Sequence, residues 1–134
     1  MKARRSLRRR SVGLAAVEFA LVFPLFLSLS VGTIELAGLY SAWSNLQWAC
    51  DRAARQMMVS SAPTQGGAQA AAVAVSQSAG YPAAQFTAAG PAPCAAGSGT
   101  NCITISGSYP YSFQAATLGM FSVTLTASAV APLT

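Results

Sequence analysis

The chemistry of this chain concentrates at one junction. Lys2, Arg4, Arg5, Arg8, Arg9 and Arg10 form a basic leader that runs through Ser11 and Val12 to Gly13, and Glu18 follows at the head of a long apolar segment. A basic leader, a glycine and one acidic residue five places later at the mouth of an apolar helix together read as a processing signal, cut between Gly13 and Leu14. Cleavage there would give Leu14 a free amine one helical turn before Glu18, a spacing that puts opposite charges on one helix face. The carboxylate can then neutralise its own amine or that of a neighbouring subunit. A carboxylate at a bilayer centre costs about 2.5–3.5 kcal/mol and less near a helix end, and such groups are usually paired or functional. Glu18 taken alone fits equally well a first-turn residue satisfied by water and the helix dipole. The Gly13 context favours pairing and makes the processed helix both anchor and assembly surface.

These residues must be positioned by a membrane helix. From Phe19 to Ile34 no charged residue occurs, and Leu14–Val17 and Leu36–Leu39 extend the apolar run to a length that spans a bilayer. The basic residues before the segment outnumber Arg52 and Arg55 after it, which places the leader in the cytoplasm and the remainder outside. Pro24 removes one helical hydrogen bond, a loss that membrane helices tolerate. Beyond the span, Leu39, Trp43, Leu46, Cys50, Ala53 and Met57 recur at intervals of four and three, predicting a helical stalk with one apolar face. Met57 and Met58 are expected to fill the core. Tyr40, Trp43 and Trp48 stand where the helix should leave the bilayer, as an interfacial aromatic belt.

On these residues the chain resembles a known family. Gly13-Leu14-Ala15-Ala16-Val17-Glu18-Phe19 is similar to the G/xxxxEF site of the TadE-like pseudopilins, and Phe19–Pro24, Ile34–Gly38 and Ala49–Arg55 resemble successive blocks of the same N-terminal domain. Cys50 and Asp51 depart from that pattern. The resemblance covers roughly residues 11–55 and implies a minor pseudopilin or accessory component of Tad (Flp-type) pilus assembly and secretion. It implies a prepilin peptidase acting at Gly13 and Leu14, and contacts with other pilins and the Tad machinery through Glu18 and Phe19. The implied location is the bacterial inner membrane, single-pass, with the C-terminal part in the periplasm or carried on a pilus at the cell surface.

The expected organisation is a leader over 1–13, a membrane helix and stalk over 14–59, and a small extracytoplasmic domain over 60–134, α+β in class. Ser60–Gly67 reads as a breaker and Ala68–Ala79 as a short helix. Gly80–Thr100 reads as an irregular loop. Ile103–Ser106 and Phe121–Ala129 alternate as strands of a small antiparallel sheet, with Tyr109–Phe113 as the connector between them. In an oxidising compartment Cys94 and Cys102 can close a short loop, worth about 2–3 kcal/mol in the chain-entropy model. Cys50 is left over on the helical stripe, and the sequence leaves its pairing with either of the others open.

Several function classes find no support. Without the leader, Arg52 and Arg55 face Glu18, Glu35 and Asp51, so no basic surface for nucleic acid is left. The chain has no histidine, its three carboxylates are spread along one predicted helix, and Gly97-Ser98-Gly99 precedes neither a lysine nor a helix pattern. No enzyme, cofactor, metal or small-molecule substrate is therefore expected. The competing readings are an unprocessed, membrane-anchored periplasmic binding protein and a secreted protein with an ordinary signal peptide. The latter fits poorly, because the apolar run is too long and begins with Glu18.

Gly13→Leu should bar the peptidase and leave the leader attached. Mass spectrometry of the membrane-bound protein checks this: the variant is expected at full length and the parent chain with Leu14 first.

Overall fold

In a computed structural model the chain is described over residues 3–94, 99–113 and 122–133, with side chains from Ala15 onward. Lys2, Gly97, Ser98 and Phe121, named above, lie outside these residues, as do the leader's side chains. The element order is α1 (Ala3–Val59), α2 (Gln65–Ser78), β1 (Gln85–Pro93), β2 (Asn101–Ser112) and β3 (Ser122–Leu133). The class is α+β. Two compact units divide the chain, 1–36 and 37–134, with the boundary inside α1.

The first unit is helix whose apolar side chains are exposed on every side, with Leu21 at 75% and Ile34 at 72%. Helical order through this stretch comes from its own hydrogen bonds and not from packing within the unit. The hydroxyls also bond to the helix backbone: Ser28 donates to the Leu25 carbonyl and Ser30 to that of Phe26, both at 2.8 Å, and Thr33 donates to Ser30 at 2.7 Å. Side chains that hide their donors in this way suit a medium without water. Pro24 sits inside the continuous helix.

In the second unit, the part of α1 from Ala37 to Val59 lies against a three-stranded antiparallel sheet of order β1-β2-β3. Ala42, Leu46, Ala49, Cys50, Ala53, Ala54 and Met57 are buried there. The buried face is displaced slightly from the expected stripe. Ala42 is 1% exposed while Trp43 is 41% exposed, because close approach to the sheet selects the small side chain for the inward position. Met58, expected in the core, is 47% exposed, since its neighbour Met57 already holds the inward position of that turn.

The sheet is larger than the sequence pattern indicates. β1 occupies part of the segment read as a loop, and pairs Gln85 with Ser108 through Ala89 with Thr104 before the register shifts ahead of Ala92. Its Gly and Pro residues fall at that irregularity, where Gly90 adopts φ +124° against the backbone of Cys102 and Ile103. Only glycine reaches that conformation without strain. Tyr109–Ser112, read as a connector, belong to β2 and pair with Leu125 through Ser122. An edge proline such as Pro93 and a bulge explain why local composition concealed β1.

Helix α2 begins earlier than expected and takes in Gly66 and Gly67, residues assigned to the breaker. Thr64 is its N-cap, with Oγ1 accepting from the Gly67 amide at 3.1 Å. Gly67 also leaves room for the Met57 side chain. The helix ends in a Schellman arrangement: the Tyr81 amide donates to Ser76 at 2.9 Å and the Gly80 amide to Gln77 at 3.1 Å, with Gly80 at φ +86°. α2 then covers the free edge of β1, where Gln69 Nε2 donates to the Phe86 carbonyl at 2.8 Å and Gln65 Nε2 donates to that of Gly90.

Gly107 is buried in the middle of β2, and a Cβ there would lie 2.7 Å from Phe86 Cε1 and 3.0 Å from Leu46 Cδ1. Gly107→Val should therefore force α1 off the sheet and destabilise the unit by about 1–3 kcal/mol. Ser106→Ala, on the outward face, should stay within about 0.5 kcal/mol. Urea denaturation of the detergent-solubilised chain compares them directly.

Candidate functional site

The site is the first unit: the entry junction and the exposed helix that follows it. Gly13 and Leu14 both lie within α1, so Leu14 and Glu18 are one turn apart on a regular helix. Glu18 is exposed amid exposed Val17, Phe19, Leu21 and Val22. Phe19 stacks on Phe23 with ring centroids 5.2 Å apart, the i, i+4 geometry of a helix surface. What this arrangement offers is an apolar rod carrying one carboxylate near its start. Such a surface suits lipid or equally apolar helices, with Glu18 the charge near its start and Glu35 the one near its end.

One helix among the described residues is long and apolar enough to cross a membrane, beginning at Ala15. In the second unit Tyr40 and Trp43, expected as an interfacial belt, lie side by side with centroids 6.1 Å apart, and both are exposed, as is Trp48.

The cysteines fall where the spacing indicated. Cys94 and Cys102 are joined by a disulfide with their Cα atoms 5.0 Å apart, bridging the ends of β1 and β2. Cys50 is free and buried under the sheet, its Sγ 3.8 Å from the Ala127 carbonyl. Burial, assisted by the charge of Asp51 and opposed by the Gly107 amide, pushes its thiol up to about 11. Such a thiol is protonated and enclosed, the opposite of a reactive cysteine.

Residues 13–55 match the family model of the TadE-like proteins. This is a TadE-like segment. It starts at Gly13, runs through the apolar helix and ends at Arg55 on the part of α1 that carries the sheet. No curated protein and no solved structure matches the chain. A TadE-like segment suggests involvement in the Tad pilus system and association with its machinery, and with the apolar helix it fits a single-pass membrane protein.

Sequence reasoning missed the residues that join the TadE-like helix to the sheet. Tyr111, assigned to a connector, places its hydroxyl against Gly38, and Tyr109 packs edge-on to Tyr81 at 5.3 Å. The signal was present as an extended alternation, Ile103, Ile105, Gly107, Tyr109 and Tyr111, interrupted to the eye by a glycine and by Pro110.

Between pH 9 and 11 the unfolded chain would lose the Cys50 proton while the folded chain keeps it, so stability should fall across that window by about 1.4 kcal/mol per pH unit at most. Below pH 9 the contribution is flat. Cys50→Ala should remove this slope in urea melts of the solubilised chain, and iodoacetamide should modify the parent thiol only after unfolding.

Proposed function

We propose that this chain is a minor pseudopilin of Tad pilus assembly, processed by a prepilin peptidase after Gly13 and held in the inner membrane with its second unit in the periplasm. The observation that carries the reading is the position of Gly13 and Glu18 at the start of the TadE-like match, leading straight into an apolar helix exposed on every side. Such a surface needs lipid before assembly and can be covered by other pilin helices afterwards. Leader removal creates the Leu14 amine, and Glu18 is the group within reach of it on the same or an adjacent subunit. The role is structural and not catalytic: the chain has no histidine to serve as acid or base.

A second reading, an unprocessed membrane-anchored binding protein, is favoured by one feature of the sheet unit. An open groove of about 560 Å³ is lined by Trp43, Gln47, Thr87, Ser106, Ser108 and Ser128, among others, all uncharged. Retention of Met1 on the membrane-bound protein would decide for it.

If Glu18 registers one subunit against the amine of another, Glu18→Ala should insert as well as the parent or better, because a group that is costly in lipid has gone. Incorporation into pili should fall at least tenfold, while Glu18→Asp keeps the charge and part of the incorporation. Crosslinking to partner pilins and pilus counts in cells expressing only the variant measure this. Parental levels for Glu18→Ala would remove the assembly role of the residue.

A further inference from the structure

Contacts along α1 fix how the sheet runs relative to the point where the chain enters its second unit. At Gly38, next to the entry at Ala37, a Cβ would stand 2.6 Å from the Tyr111 hydroxyl. Further along the helix, Leu46 meets Gly107 and Cys50 meets Ala127, which Gly107 pairs with in the sheet. The C-terminal end of β2 is therefore the entry end. Cys102 and the disulfide stand at the opposite end, about 30 Å away at roughly 3.3 Å per strand residue.

The two ends differ in chemistry. The entry end carries Tyr40, exposed, with Tyr111 and Phe113, both partly exposed and packed edge-on at 5.4 Å. Among the described residues, the far end, formed by Pro93, Cys94, Asn101, Cys102 and Pro132, has no aromatic residue. From Gln56 to Thr134 the sequence contains no charged residue, so the strands bring no charge to the entry end, and the charge nearest to it in sequence is Glu35 on the helix. Tyrosine and phenylalanine with one apolar and one wet side favour the headgroup layer of a bilayer.

We propose that Tyr40, Tyr111 and Phe113 form a lipid-docking foot, which seats the entry end of the second unit in the headgroup layer of the bilayer crossed by the preceding apolar helix. A lipid surface fits this end because the chain joins it directly to the exposed apolar segment, which ends at Leu36. Docked in this way, the disulfide end and the outward hydroxyl face of Thr87, Ser106 and Thr126 are not part of the foot. The inference rests on the single-pass reading of the chain and holds whether or not Gly13 is processed.

Depth-dependent fluorescence quenching tests it on the full chain. In a background of Trp43→Phe and Trp48→Phe, which removes both native tryptophans, single reporters are introduced as Phe113→Trp, Tyr40→Trp, Val22→Trp and Val130→Trp. Each is reconstituted into phosphatidylethanolamine–phosphatidylglycerol vesicles with and without a phosphatidylcholine brominated near the glycerol end of its acyl chains. Val22→Trp, in the span, should be strongly quenched. Phe113→Trp and Tyr40→Trp should be quenched at least twofold more than Val130→Trp, on the outward face of β3 towards the disulfide end. Quenching of Phe113→Trp no greater than that of Val130→Trp, with Val22→Trp quenched, overturns the foot and leaves the anchor standing. An unquenched Val22→Trp overturns the anchor and the foot together. Tyr40→Trp reads the foot from the helix, so a local disturbance at Phe113 does not hide the answer.

Discussion

The seat of α1 on the sheet at Gly107 is the contact on which the second unit depends. Three antiparallel strands expose one apolar face, here Phe86, Ile103, Ile105, Leu125 and the inward alanines of β3, and a sheet this small cannot bury it alone. The cover is the continuation of α1, and its inward residues are mostly small: Ala42, Ala49, Cys50, Ala53 and Ala54. Small residues on the helix and a glycine on the strand let the two backbones come close, and Leu46 and Phe86 then fill the space a Cβ would have taken. Close packing leaves little freedom to either surface.

The same helix has a different character on either side of residue 37. Before it, leucine, valine and phenylalanine project in every direction, which suits a solvent of hydrocarbon or of other helices. After it, one face is narrow and apolar and the others carry Asn45, Gln47, Asp51, Arg52 and Arg55. An apolar surface on every side suits hydrocarbon and a one-sided apolar face suits water, and the TadE-like match spans both kinds of surface. The polar side chains of the second part also serve the sheet: Gln47 donates to the Ser128 carbonyl on the edge of β3 at 3.3 Å, as Gln65 and Gln69 do on the edge of β1. Amides can satisfy a strand edge without introducing charge into a domain that has none beyond Arg55.

Much of the proposed site was legible because it is local. A basic leader, Gly13 and Glu18 are read from neighbours in sequence, and helical spacing alone puts Leu14 and Glu18 on one face. The apolar run announces a membrane helix by length and composition. The Cys94–Cys102 bridge was accessible for the same reason: the residues are 8 apart in sequence.

What the sequence by itself determined, then, is the long apolar helix, the TadE-like segment and the α+β class, all governed by periodicity or short spacing, while the Cys94–Cys102 pairing was one of the options it left open. Tertiary structure decided the rest. β1 is a strand because β2 offers it an edge and α2 covers the other side, although its own Gly, Ala and Pro residues have little strand preference. Ala42 faces inward in place of Trp43 because the helix is pressed close to the sheet, a distance no periodicity states. Tyr111 meets Gly38 across 73 residues of chain, and that contact, which sets which end of the sheet lies beside the entry point, arises only once both elements share a core.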